Sequence, residues 1–260
     1  MAASASITPP FMSFYNKFKD LLININSTDA LMRIGIDRIK NDPKNFDHSF
    51  VFHDRVLKEY PGDSWIDFAY MESRAVHDIG AHYSKSYQFL LKNSLILFVT
   101  YAEEYTSELV HHLHKTSPEI FNKVSMRNFN IDLKWELLQD ASSIQTLKDE
   151  IIERVSYELS SKSLKESLKE ILKWLNIYDI FIKEMEKLND ISKIRNQIIH
   201  KDSKIDQQFL ANLSSNTKSY FLGLEEITLS KELWNSLVYN CFEVYENCDN
   251  KICIRIEELN

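Results

Sequence analysis

Glycine and proline are scarce in this chain, 4 and 5 in 260 residues. Left-handed turns and forced breaks therefore have few places to form, which points to long helices joined by short links. Cysteine is scarce as well. Cys241, Cys248 and Cys253 are odd in number, cluster late in the chain and form no Cys-x-x-Cys pair. Free thiols in a reducing compartment are expected. There is no long apolar run, since Leu95 to Val99, the most apolar stretch, is far too short to span a bilayer. Met1 to Pro10 has neither a basic start nor an apolar core, so no signal peptide is expected. These absences together predict a cytoplasmic protein with no membrane partner. An excess of positive charge is missing too. The net charge of −7 argues against a surface coated for general nucleic-acid binding, but it leaves room for a local basic cleft.

Common cofactor and metal signatures are also lacking. The chain has no phosphate-binding glycine loop, no nucleophile elbow and no His-Glu-x-x-His, so no cofactor is expected. His111, His112 and His114 cluster, but they do not share one helix face and no nearby Cys or acid completes a zinc set. They are read as partners for the last carbonyls of a helix, and no metal site is expected. His77 and His82 share no face and are read as structural or exposed. Trp65, Trp135, Trp174 and Trp234 are scattered and read as core.

What the chain does have is helical periodicity. Residues 1–9 read as a loose tail. Phe11 to Ile25 carries apolar residues at helical spacing, and Ser27-Thr28-Asp29 reads as the start of a second helix, which Asn41-Asp42-Pro43 stops. Ser49 to Tyr60 reads as a short helix before Pro61-Gly62, the strongest break. A boundary is placed there, between a tail and helical extension at 1–62 and a main domain at 63–260. Ser64 to His114 reads as one or two very long helices. In its second part Leu91, Leu95, Phe98, Ala102, Tyr105 and Leu109 form an inward stripe. Ser117-Pro118-Glu119 has the chemistry of a helix start. Residues 124–145 are irregular. Leu147 to Leu159 and Leu164 to Leu175 are amphipathic, and the Ser-Leu-Lys-Glu repeat of Ser163 to Glu170 reads as a solvated helix face. Leu188-Asn189-Asp190 reads as a break and cap before a helix whose buried face is Ile191, Ile194 and Ile198. Gly223 to Leu229 reads as a short β element or linker, and Ser230 caps a last helix through about Tyr245 with Leu233, Leu237 and Phe242 inward. The expected fold class is all-α, an up-and-down helical bundle with an N-terminal helical extension and one short β element near 223–229.

The segment Ile194-Arg195-Asn196-Gln197-Ile198-Ile199-His200-Lys201-Asp202 stands apart. An arginine can clamp a phosphate through its planar fork of donors. A histidine ordinarily titrates near 6.5 and can move protons near neutral pH. Arg195 and His200 lie about 140° apart on an ideal helix, so they flank a groove rather than touch. Asn196 and His200 are four apart, within hydrogen-bond reach on one side. An Arg-Asn followed by His at a permitted spacing is expected by chance about 0.05 times in a chain of this composition. Arg195 to His200 is the one such pair in the sequence.

This segment resembles the signature of the HEPN superfamily, in which an arginine, usually followed by a polar residue, precedes a histidine with four to six intervening positions. The helix order resembles the HEPN layout over roughly residues 64–246, with the motif on a late helix and a final helix closing the bundle. Leu95 to Leu109 is similar to the family's early core helix, which often carries an acidic residue. Glu103 is the best match, with Glu104 and Glu108 as competitors.

The resemblance implies an endoribonuclease that needs no metal and cuts RNA by attack of the 2′-hydroxyl on its own phosphate. His200 would serve as general acid/base and Arg195 would hold the scissile phosphate. Asn196 would orient His200 or contact substrate, and Lys193, Lys201 and Lys204 would add local positive potential. The partners implied are RNA, a second copy of the chain completing a composite site, and an antitoxin or regulatory protein. The setting implied is a toxin or antiviral-defence effector. The alternative is a non-catalytic HEPN-like module that binds RNA, a nucleotide or a partner protein.

Overall fold

The computed structural model describes residues 7–41, 79–123 and 144–259. Within them the fold is all-α, a helical bundle without a strand. The helices are α1 (Pro9–Asn41), α2 (Ile79–Thr116), α3 (Glu119–Lys123), α4 (Ile144–Ser160), α5 (Leu164–Trp174), α6 (Lys187–His200), α7 (Gln207–Asn212), α8 (Ser215–Ser219) and α9 (Lys231–Leu259). Two 3₁₀ turns, Tyr178–Ile180 and Glu184–Glu186, link α5 to α6. The segment expected as a β element contributes one isolated antiparallel bridge, Lys204 with Glu226. The helix expected at 49–60, the break at Pro61-Gly62, the irregular stretch after residue 123, His77, Trp65 and Trp135 lie outside the described residues, as does the boundary at 62/63. The chain is organised as two compact units, Met1–Asp20 with Ser94–Asn260, and Leu21–Asn93.

The larger unit is built on aromatic packing. Phe18 stacks on Phe242 with ring centres 4.6 Å apart, and Phe14 lies 5.5 Å from Tyr245 and 5.8 Å from Phe98. Such pairs contribute about 0.5–1.5 kcal/mol each beyond the area they bury. Every residue of the stripe from Leu95 to Leu109 is sealed from solvent, as the step of three and four requires.

Residues 7–9 are not a loose tail. Thr8 caps α1, its hydroxyl accepting from the Phe11 amide at 3.2 Å, and Pro9 takes the first helical position, where its missing N–H costs nothing. Thr8 is itself anchored. Its amide donates to Asp249 Oδ2 at 2.8 Å, and Tyr105 donates to Asp249 Oδ1 at 2.9 Å. Asp249 is wholly buried, which also explains why α9 runs past Tyr245. The polar residues after Tyr245 conceal an inward face of Cys248, Asp249 and Ile252.

In the smaller unit α1 continues through Ser27-Thr28-Asp29 without a break. Asp29 does not cap a new helix, because its carboxylate accepts from Tyr83 at 2.8 Å and from Arg33 Nε at 3.0 Å. The Tyr83 and Tyr87 rings stack beside it, 5.8 Å apart.

Candidate functional site

α6 begins at Lys187, so Leu188-Asn189-Asp190 lies inside the helix rather than breaking it. Leu188 is sealed in the core with Ile191 and Ile194, while Ile198 is half-buried. Asp190, instead of capping α6, accepts from the Ser214 amide at 3.1 Å and from its hydroxyl. The apolar face of α6 packs on α9 and α5. The opposite side carries Ser192, Asn196 and His200 at steps of four, with Arg195 beside them.

That polar side opens into a cleft of about 390 Å³. Arg195, Asn196 and His200 line one wall, Val99 and Glu103 from α2 form another, and the α4–α5 turn from Ser160 to Leu164 closes the third. Arg195 and His200 therefore flank one groove, as their angular separation predicts.

Of the three candidate acids, Glu103 faces the motif. Its Oε2 lies 3.7 Å from Arg195 Nη2. Glu104 and Glu108 point instead to Lys17, at 2.7 and 3.9 Å. Burial pushes the Glu103 carboxyl above its ordinary value, and the Arg195 charge works against that shift. Arg195 Nη1 donates to Asn196 Oδ1 at 3.0 Å. This turns the amide toward the arginine, and among the described residues Asn196 makes no hydrogen bond to His200. Arg195 Nε is buried and has no hydrogen-bond partner among the described residues. A guanidinium carries five N–H donors. With one given to Asn196 and the Glu103 contact long, Arg195 keeps donors to offer a ligand.

The three lysines named with the motif do not line the cleft. Lys193 is engaged on the Asn212 carbonyl. The lysine that does line it is Lys162, in the α4–α5 turn, more than thirty residues before the motif. The available signal was the capping box Ser163-Leu164-Lys165-Glu166, in which the Glu166 amide donates to Ser163 Oγ at 3.3 Å. It marks the start of α5 and hence a turn at Ser160–Lys162. The rest of that repeat behaves as a helix face, with Leu164 and Leu168 inward and Lys169 paired to Glu166 at 3.0 Å.

α6 ends immediately after His200. Asp202 and Ser203 both adopt left-handed backbone, φ 50° and 61°, without glycine. The Ser203 amide reaches back to the Gln197 carbonyl at 3.2 Å and the Ile227 amide donates to the Ser203 carbonyl at 2.8 Å, bonds that offset the cost of that conformation.

His111 faces Glu153 at 3.8 Å, His114 lies edge-on to Phe121, and burial lowers the His112 pKa. Among the described residues no group of three or more His, Cys, Asp or Glu is arranged to hold a metal, and no helix is long and apolar enough to cross a membrane. No protein-family model matches the chain, and neither the curated proteins nor the solved structures give a significant match.

Proposed function

We propose that this chain is an endoribonuclease of the HEPN type that cuts RNA without a metal. The observation that carries the reading is the shared cleft. A phosphate-binding side chain, Arg195, and a proton-transfer side chain, His200, line one groove beside the half-buried Glu103. In the proposed step His200 takes the proton of a ribose 2′-hydroxyl, whose oxygen forms a bond to the adjacent phosphorus. The bond from phosphorus to the 5′-oxygen breaks, and that oxygen is protonated as it leaves. Arg195 holds the non-bridging oxygens as their charge grows. The products are a 2′,3′-cyclic phosphate and a 5′-hydroxyl. The need for the 2′-hydroxyl selects RNA over DNA.

One chain supplies one His200 to this step. A two-fold pair of chains with facing motifs supplies the second proton-transfer group and doubles the local positive charge. The family resemblance supplies the setting, a cytoplasmic toxin or antiviral-defence effector restrained by a partner protein. Arg195→Ala and His200→Ala are each expected to lower cleavage by about 10²–10⁴-fold. His200→Ala should keep the wild-type thermal midpoint, since His200 is exposed, whereas Arg195 is largely buried beside Glu103, so Arg195→Ala is read beside a thermal melt that checks its fold. Undiminished cleavage by either variant overturns the assignment of that residue.

A further inference from the structure

His200 is the last residue of α6, and helix ends fray. Its side chain is exposed, and among the described residues it has no hydrogen-bond partner to hold the ring. The backbone of the final turn therefore decides where the imidazole meets the cleft. Gln197 binds that turn on both sides of His200. Its carbonyl accepts from the Lys201 amide and from the Ser203 amide, each at 3.2 Å. Its side-chain Nε2 donates to the Lys204 carbonyl. The nitrogen end must face that carbonyl, because the amide oxygen would repel it. The chain held in this way is one that needs holding. Asp202 and Ser203 are left-handed without glycine, φ 50° and 61°, a conformation that persists only where surrounding bonds fix it. The same segment is pinned a second time from farther along the chain. The Ile205 amide donates to the Glu225 carbonyl at 2.9 Å, the Ile227 amide donates to the Ser203 carbonyl at 2.8 Å, and Lys204 bridges to Glu226. Gln197 is half-buried and does not itself line the cleft. Arg195 and Asn196 precede it, and the bond between them is independent of the turn.

We propose that Gln197 is a positioning residue for His200. Its bonds close α6 immediately after His200 and keep the imidazole within reach of a ribose whose phosphate Arg195 holds. Proton transfer then depends on Gln197, and substrate binding does not. This rests on the ribonuclease reading above. A misplacement of about 1 Å costs up to about 10²-fold in rate, so loss of the Gln197 side-chain bond falls on kcat.

The test uses the full chain. Gln197→Met keeps the length and the helix-forming character of the side chain and removes its donor. Gln197→Lys supplies a donor to the same carbonyl. Ser230→Ala removes the hydroxyl that accepts from the Leu233 amide at 3.1 Å at the start of α9, and serves as the control for lost stability alone. For these variants, wild type and His200→Ala, kcat and KM are measured on a short single-stranded oligoribonucleotide. Affinity is measured on the same strand with its 2′-hydroxyls methylated, so that it binds without being cut, and a thermal melt checks each fold. In Gln197→Met kcat should fall about 10–100-fold, while KM and affinity stay within about twofold of wild type. Gln197→Lys should recover most of the lost kcat. Ser230→Ala should keep the wild-type kcat with a midpoint roughly 2–4 °C lower. If the wild type cleaves and His200→Ala does not, but Gln197→Met keeps the wild-type kcat or loses it only in step with affinity, the positioning role alone is overturned. If the wild type does not cleave, or His200→Ala cleaves equally well, the ribonuclease reading fails and the role of Gln197 fails with it.

Discussion

Arg195 and Asp249 show two opposite uses of a charged side chain. Arg195 retains unspent donors at a cleft, whereas Asp249 is wholly buried and accepts from Thr8 and Tyr105. Arg195→Lys keeps the charge and loses the planar fork, so cleavage is expected to fall about 10²-fold while the fold is unchanged. Steady-state rates beside a thermal melt check this. Asp249→Ala leaves Thr8 and Tyr105 donating to nothing, at about 3 kcal/mol of stability. In a chain of this size that lowers the midpoint by roughly 6–12 °C. The pH dependence of Asp249 follows from its burial. Burial raises its carboxyl above the ordinary 3.8, and the bonds from Thr8 and Tyr105 pull it partly back. The folded chain thus holds this proton more tightly than the unfolded chain. The group's contribution to stability falls as pH rises from about 3.8 through the raised pKa and is level above it. Denaturant unfolding of wild type and Asp249→Asn across that range should show the wild type losing stability relative to the variant. A gap independent of pH contradicts the account.

At the scale of the element, what the sequence revealed depended on which force decided each case. Apolar stripes were legible because helical spacing and burial are the same fact. The stripe from Leu91 to Leu109 and the inward Leu233 and Leu237 are buried as their spacing requires. Polar residues misled wherever a tertiary partner used them. Asp29 and Asp190 look like helix caps in sequence, but Tyr83 with Arg33, and Ser214, take their oxygens. Asp249 looks like a helix end and is a core acceptor. The motif was legible because Arg195, Asn196 and His200 are local on one helix. Lys162 was not, because only the packing of the α4–α5 turn across from α6 brings it near. Ser163 now has a specific load, the cap that starts α5 and fixes the cleft's third wall. Ser163→Ala is expected to cost about 1 kcal/mol, read as a midpoint roughly 2–4 °C lower. Asp206 caps α7, accepting from the Phe209 amide at 2.6 Å, and does not line the cleft; a rise in KM larger than the rise for Asp206→Ala would show that the wall itself matters to the substrate.

For the whole molecule the relevant balance is charge. A net charge of −7 opposes RNA overall, so on the proposed reading binding depends on the local positive charge that Arg195 brings to its cleft. Single strands should therefore be cut in preference to duplexes of the same sequence, and cleavage should weaken as salt rises, both measurable on paired oligonucleotides. Most directly, the central claim is tested by incubating RNA with purified wild type and His200→Ala in the presence of EDTA and identifying the product ends. The wild type alone should cleave, leaving 2′,3′-cyclic phosphate and 5′-hydroxyl ends. Cleavage that EDTA abolishes, that leaves 5′-phosphate ends, or that His200→Ala performs equally well would contradict it.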